Sequence, residues 1–92
     1  MTNNKKYKLL VEHRAKKEWD HLNEARLDVM NDMKAFLKKN PTNILVTKGK
    51  AKKLKGTLSG WYQYDISGSE RVMYEVDKKA NQVKIVYAGN PH

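Results

Sequence analysis

The sequence predicts an α+β fold in which a helical hairpin packs on one face of a mostly antiparallel sheet. Three observations lead to it: one strand-like segment opens the chain, two segments with helical spacing follow, and three strand-like segments close it. Helices grouped ahead of a run of strands are typical of this class. A length of 92 residues leaves room for one domain. We therefore predict the order β-α-α-β-β-β in a single domain over residues 1–92.

The first half of the chain changes its hydrophobic period from that of a strand to that of a helix. Residues 6–11 alternate, which predicts a strand, and two apolar stripes with helical spacing follow. We expect Asn23 to cap the second helix and Asn40-Pro41 to end it. The first stripe comprises Ala15, Trp19 and Leu22, and the second comprises Leu27, Val29, Met30, Met33, Phe36 and Leu37.

The second half begins with a lysine-rich connector and continues as a meander. The connector spans residues 41–56, and repulsion among its lysines makes a regular buried element improbable over residues 48–55. Strands are predicted over 60–66, 70–76 and 82–88, with turns at 67–69 and 77–81. The lysines of the connector are Lys48, Lys50, Lys52, Lys53 and Lys55.

Charge and composition exclude several classes of site. The chain has 19 Lys and Arg against 10 Asp and Glu, a net charge of +9 that attracts nucleic acid, an anionic membrane surface or an acidic protein. The absence of cysteine excludes disulfides, cysteine-based zinc sites and thiol catalysis. The three histidines lack metal-ligand spacing, so we expect no metal and no cofactor. No secretory signal or run of about 20 apolar residues is present, so we expect a cytoplasmic protein without a membrane partner.

Two segments resemble the RelE/ParE superfamily of bacterial toxins, and within it the YoeB branch. They are the run KGKAKKLKGTLSGWY from Lys48 to Tyr62 and the run ERVMYEV from Glu70 to Val76. The predicted strand order also fits this superfamily. The resemblance implies the toxin of a type II toxin–antitoxin module, which cleaves mRNA in the ribosomal A site without a metal. It also implies a complex with an acidic antitoxin, besides contacts with the ribosome and mRNA.

The resemblance assigns catalytic roles to three residues. Arg71 occupies the position of the family's catalytic arginine, and its planar fork matches phosphate geometry. His92 corresponds to the histidine of the family's tail and is suited to proton transfer near neutral pH, although no tyrosine follows it. Lys52 stands where the YoeB branch has a glutamate proposed as the base. We expect Lys52 to stabilise charge, or alternatively to act as the base if the neighbouring lysines favour its neutral form. The alternative for Arg71 is a surface arginine paired with Glu70 or Asp65.

Six further residues are candidates for RNA contact. The lysines form a surface that follows phosphates, or alternatively a solvated charge run. Tyr62 either stacks on an unpaired base or packs within the sheet, and Asp65 is the fallback carboxylate for proton transfer. The six are Lys48, Lys50, Lys53, Lys55, Tyr62 and Asp65. Two other functions stay open: inhibition of DNA gyrase by a ParE-like toxin, and a weakened toxin that retains antitoxin binding.

Overall fold

A computed structural model describes residues 6–58 and 60–90. Within these ranges the chain forms five strands, two α-helices and two short 3-10 turns. The strands are β1 (Lys8–Val11), β2 (Ala51–Lys53), β3 (Trp61–Asp65), β4 (Arg71–Asp77) and β5 (Gln82–Gly89). The helices are α1 (His13–Ala25) and α2 (Leu27–Lys39), and the 3-10 turns span Ile44–Thr47 and Gly56–Leu58.

The five strands form one sheet in the order β1-β5-β4-β3-β2. The strand β1 pairs parallel with β5, and every other pairing is antiparallel. A parallel pair needs a crossover connection, and here the chain between β1 and β5 includes both helices and the rest of the sheet. The predicted α+β class, with helices against a mostly antiparallel sheet, is confirmed.

The lysine-rich connector contains a short, mostly exposed strand that the predicted order β-α-α-β-β-β did not include. Ala51, Lys52 and Lys53 pair with β3 as the edge strand β2. Only Ala51 is buried, and the two lysines are exposed. An edge strand tolerates lysines because it has solvent along its free side, where charged residues also discourage pairing with another chain. The sheet consequently has five strands instead of the predicted four.

The junction between the helices also differs from the prediction. Asn23 caps no helix, because α1 continues through Ala25 and α2 begins directly after Arg26. The Asn23 amide donates to the Trp19 carbonyl oxygen at 3.1 Å, and its oxygen accepts a hydrogen bond from Lys34 Nζ at 2.7 Å. Asn23 therefore ties α1 to α2 from inside the first helix.

The core lies between the helix pair and one face of the sheet. The predicted apolar stripes provide its helical half, except for Leu27, which is 54% exposed. Alternate residues of β4 and β5 provide much of the other half. Tyr74 is fully buried at its centre and donates a hydrogen bond to the Pro41 carbonyl oxygen at 3.0 Å. This bond fixes the chain after α2 against the sheet. The fully buried side chains include Leu22, Met30, Met33, Leu37, Val72, Tyr74, Val83 and Ile85.

Because the Tyr74 phenol is buried, we expect the free energy of unfolding to fall at alkaline pH. Burial, together with the neighbouring Tyr62 and Tyr64, raises the pKa of Tyr74 above its ordinary value. The phenolate then forms more readily in the unfolded chain, so this contribution to stability is present below about pH 10 and is lost as the pH rises further. We expect the free energy of unfolding to fall above that pH and to fall less steeply in Tyr74→Phe. The variant should also lose about 1 kcal/mol at pH 7 with its hydrogen bond. Urea titrations from pH 7 to 11 measure both effects, and an unchanged alkaline slope in Tyr74→Phe contradicts the assignment.

Candidate active site

The candidate site lies on the face of the sheet that points away from the helices, which we call the outer face. Strand alternation places Val72 and Tyr64 in the core and their neighbours Arg71 and Asp65 on the outer face. Lys52 reaches the same face, because it pairs with Gln63, two residues before Asp65. Adjacent strands β2, β3 and β4 thus bring Lys52, Asp65 and Arg71 together at one end of the sheet.

Arg71 begins β4 directly after a turn that is tied to the helix pair. Arg26, at the junction of the helices, donates from Nε to Glu70 Oε1 at 2.9 Å, and Ser67 Oγ donates to the same oxygen at 2.9 Å. These hydrogen bonds from Arg26 and Ser67 lower the pKa of Glu70. Glu70 is therefore engaged by Arg26, and the alternative that pairs Glu70 with Arg71 is not what the structure shows.

The guanidinium of Arg71 has no protein partner among residues 6–58 and 60–90. Its Nε is buried and makes no hydrogen bond, and it forms no ion pair with the opposite residue Asp65. A buried donor left without an acceptor costs about 1–3 kcal/mol, which makes such groups rare. An anion bound at Arg71 would supply the missing acceptor.

Asp65 is held by Gln63 and Lys52, and not by Arg71, which lies opposite it. Its Oδ1 accepts a hydrogen bond from Gln63 Nε2 at 2.9 Å, and its Oδ2 lies 3.7 Å from Lys52 Nζ. Gln63 is the one polar side chain that is buried in the described sheet, at 7% exposure. The buried Gln63 amide thus orients the Asp65 carboxylate, and Lys52 balances its charge. Arg71 lies opposite without an ion pair among the described residues.

The remaining predicted residues are distributed around this cluster. Lys50 lies next to it, because its carbonyl oxygen accepts a hydrogen bond from the Asp65 backbone at 2.8 Å. Lys48 and Lys55 are exposed before and after β2. His92 lies outside the described residues, so its role stays a prediction.

Two predicted contacts lie on the other side of the sheet from Arg71. Tyr62 faces the core side, where its ring is stacked on Tyr74 with centroids 5.3 Å apart and planes 12° apart. Lys53 pairs with Tyr62 across the strands and shares that side. The structure therefore separates Tyr62 and Lys53 from the cluster of Lys52, Asp65 and Arg71. Packing within the sheet is the alternative that the structure favours for Tyr62.

An apolar groove of about 460 Å³ adjoins the cluster on the outer face. One wall includes Trp61, whose indole Nε1 donates to Glu75 Oε2 at 2.9 Å. Glu75 in turn lies 3.8 Å from Lys84 Nζ. Our sequence analysis gave no role to Glu75 or Lys84, although strand alternation would have placed both on the same face as Arg71. The residues that line the groove are Arg14, Leu58, Trp61, Met73, Val86 and Tyr87.

Residues 6–58 and 60–90 contain no cluster of three or more histidine and acidic side chains able to hold a metal ion. The same ranges contain no helix of sufficient length and apolarity to cross a membrane.

Comparison with known proteins was informative only at the level of structure. No family model and no curated protein matches the sequence. The YoeB–YefM complex from Staphylococcus aureus contains a chain that superposes with a TM-score of 0.68 and 23% identity, over 94% of this chain and 98% of that chain. A chain of the archaeal RelE–RelB complex from Pyrococcus horikoshii matches with a TM-score of 0.68 and 23% identity, over 92% and 94%. The chain has the RelE/ParE toxin fold. YafQ from Escherichia coli shares this RelE-like fold with a TM-score of 0.70 at only 13% identity, over 92% and 93%.

Proposed function

We propose that this protein is the toxin of a type II toxin–antitoxin module and that it cleaves mRNA in the ribosomal A site. The observation that carries the proposal is Arg71, a partly buried arginine whose Nε lacks an acceptor, at the cationic end of a RelE-like sheet. The toxin–antitoxin complexes among the structures with this fold support the first part of the proposal.

Cleavage without a metal proceeds by attack of a ribose 2′-oxygen on the adjacent phosphorus. The bond from phosphorus to the 5′-oxygen breaks, and the products are a 2′,3′-cyclic phosphate and a 5′-hydroxyl. The reaction needs a base for the 2′-hydroxyl proton, donors for the phosphoryl oxygens and an acid for the 5′-oxygen. Arg71 is suited to the second task, since its N–H groups form a planar fork that fits phosphate oxygens.

Lys52 serves as a phosphate-binding cation rather than as the base. A lysine acts as a base only where burial or neighbouring cations favour its neutral form. The Lys52 side chain is 59% exposed, and its ion-pair partner is the Asp65 carboxylate. Asp65 is the better base, because it lies opposite Arg71 and Gln63 holds its other oxygen. His92, predicted to take part in proton transfer, is assigned the proton donation to the leaving oxygen.

The partner in the module is an acidic antitoxin. A net charge of +9 and the exposed lysines around β2 attract such a protein over a distance. Association steered by charge is fast and slows as salt is added. The same surface suits the ribosome and its mRNA, because the phosphate backbone of RNA is also a polyanion.

Primer extension on a defined mRNA that is programmed into ribosomes tests the proposal. We expect cuts confined to the A-site codon, and no cuts when the same mRNA is incubated without ribosomes. Growth arrest in cells without A-site cuts would contradict cleavage. In that case, inhibition of supercoiling by purified gyrase would support the ParE-like alternative. Neither cuts nor arrest would indicate a weakened toxin.

A further inference from the structure

We infer that the apolar groove beside Arg71 binds an unpaired base of the RNA strand whose phosphate Arg71 holds. This inference rests on the proposed function, and it assigns Trp61 and Tyr87 as the residues that contact the base. The groove opens on the outer face, the same face as Arg71.

The groove lies two residues along β4 from Arg71, the residue proposed to hold the phosphate. Met73 follows Arg71 by two residues on β4, so the two side chains share a face and lie roughly 7 Å apart along the strand. On β5, Tyr87 is opposite Met73, just as Gly89 is opposite Arg71. An RNA strand that runs along β4 with a phosphate at Arg71 would bring its neighbouring base to Met73 and Tyr87.

Both aromatic side chains of the groove are held at their polar ends. The Trp61 indole donates to Glu75, and the Tyr87 hydroxyl donates to the Asn90 carbonyl oxygen at 2.7 Å. Each is only partly buried, so the remaining ring surface is available for contact. Rings that are already fixed lose little conformational freedom when a base stacks on them, which favours binding.

The alternation of cationic and apolar surface around the groove suits a single strand of RNA as the occupant. The groove is apolar between two cationic positions, with Arg14 at its rim and Arg71 at the adjoining cluster. The nearby carboxylates of Glu12 and Glu75 are engaged by Arg14 and Lys84. A single strand of RNA matches this arrangement, because flat apolar bases alternate with regularly spaced phosphates.

Binding to two uncleavable RNAs of equal charge tests the inference. The probes are fluorescein-labelled 2′-O-methyl oligoadenylate of eight nucleotides and the matching chain of abasic nucleotides, and fluorescence anisotropy measures Kd. We expect the wild-type protein to bind the chain with bases roughly tenfold more tightly, since one stacked base is worth about that factor. Trp61→Ala should bind both chains equally, whereas Trp61→Phe should keep the preference. Arg71→Ala should weaken both chains by the same factor.

Each other outcome overturns the inference without deciding the proposed function. Equal or no binding of the two chains by the wild-type protein, or a preference that survives in Trp61→Ala, would exclude the groove as a base site. The RNase function itself is decided separately, by the cuts on programmed ribosomes. If the groove instead holds an antitoxin side chain, Trp61→Ala will weaken the complex with the antitoxin while the wild-type protein binds both RNA chains equally.

Discussion

Replacement of Arg71 by alanine is expected to reduce the rate of A-site cleavage by a factor of about 100 to 1,000. A loss of this size is typical when one donor to a developing oxyanion is removed. Folding should be unaffected, because no other described side chain bonds to Arg71. Removal of its buried, unpartnered Nε even relieves a desolvation cost, so the melting temperature should stay the same or rise slightly.

The matched control for this variant is Arg71→Lys. Lysine keeps the positive charge but loses the planar fork, so we expect a cleavage rate between those of the wild-type and alanine proteins. Single-turnover primer extension on programmed ribosomes, with a thermal melt of each protein, separates chemistry from folding. If Arg71→Ala cleaves as fast as the wild-type protein and remains folded, the phosphate contact lies elsewhere and the proposed site is wrong.

The second large effect is expected at Ile85, in the middle of the sheet. Ile85 is fully buried on β5, where it lies between Val11 of β1 and Tyr74 of β4. Ile85→Ala removes three carbon atoms from a site with well-packed neighbours on both sides, so we expect a loss of about 2–5 kcal/mol. The whole domain is expected to have a free energy of unfolding of roughly 5–14 kcal/mol. The loss is therefore a large fraction of the total stability.

Two further variants calibrate this effect. Ile85→Val should cost about 0.5–1.5 kcal/mol, because it leaves a smaller cavity. Leu10→Ala, on the outer face of β1 with 47% exposure, should change stability by less than about 0.5 kcal/mol. Urea unfolding followed by tryptophan fluorescence measures all three, since Trp19 is buried in the same core. A loss below 1 kcal/mol in Ile85→Ala would show that the sheet is not packed as described.

Periodicity was enough to predict the helices and most of the sheet. The apolar stripes of α1 and α2 and the alternation of β3, β4 and β5 each record which face of an element is buried. The strand β2 escaped prediction because only Ala51 of its three residues is buried. The junction at Arg26 was also not predicted. Asn23 is a residue type suited to capping a helix, but it lies inside α1 and accepts a hydrogen bond from Lys34 instead.

The sequence analysis named the residues of the candidate site, but it could not predict which of them lie together in the fold. Arg71, Lys52 and Asp65 were all named from the sequence, and the register of β2, β3 and β4 brings them to one face. The separation of Tyr62 from them follows from the same alternation. The groove at Trp61 was missed, because its lining comes from α1, a 3-10 turn and three strands that meet only in the fold.

The class of the fold, the buried face of each long element and the excess of positive charge could all be predicted from the sequence. These properties depend on local patterns or on sums over residues, both of which are present in the sequence. The parallel pairing of β1 with β5 could not be predicted, nor could the bond of Glu70 to Arg26, 44 residues away, instead of to its neighbour Arg71. Such long-range pairings depend on which surfaces meet when the helices cover the sheet. They leave the Nε of Arg71 without an acceptor among the residues that the structure describes, and the proposed chemistry depends on this feature.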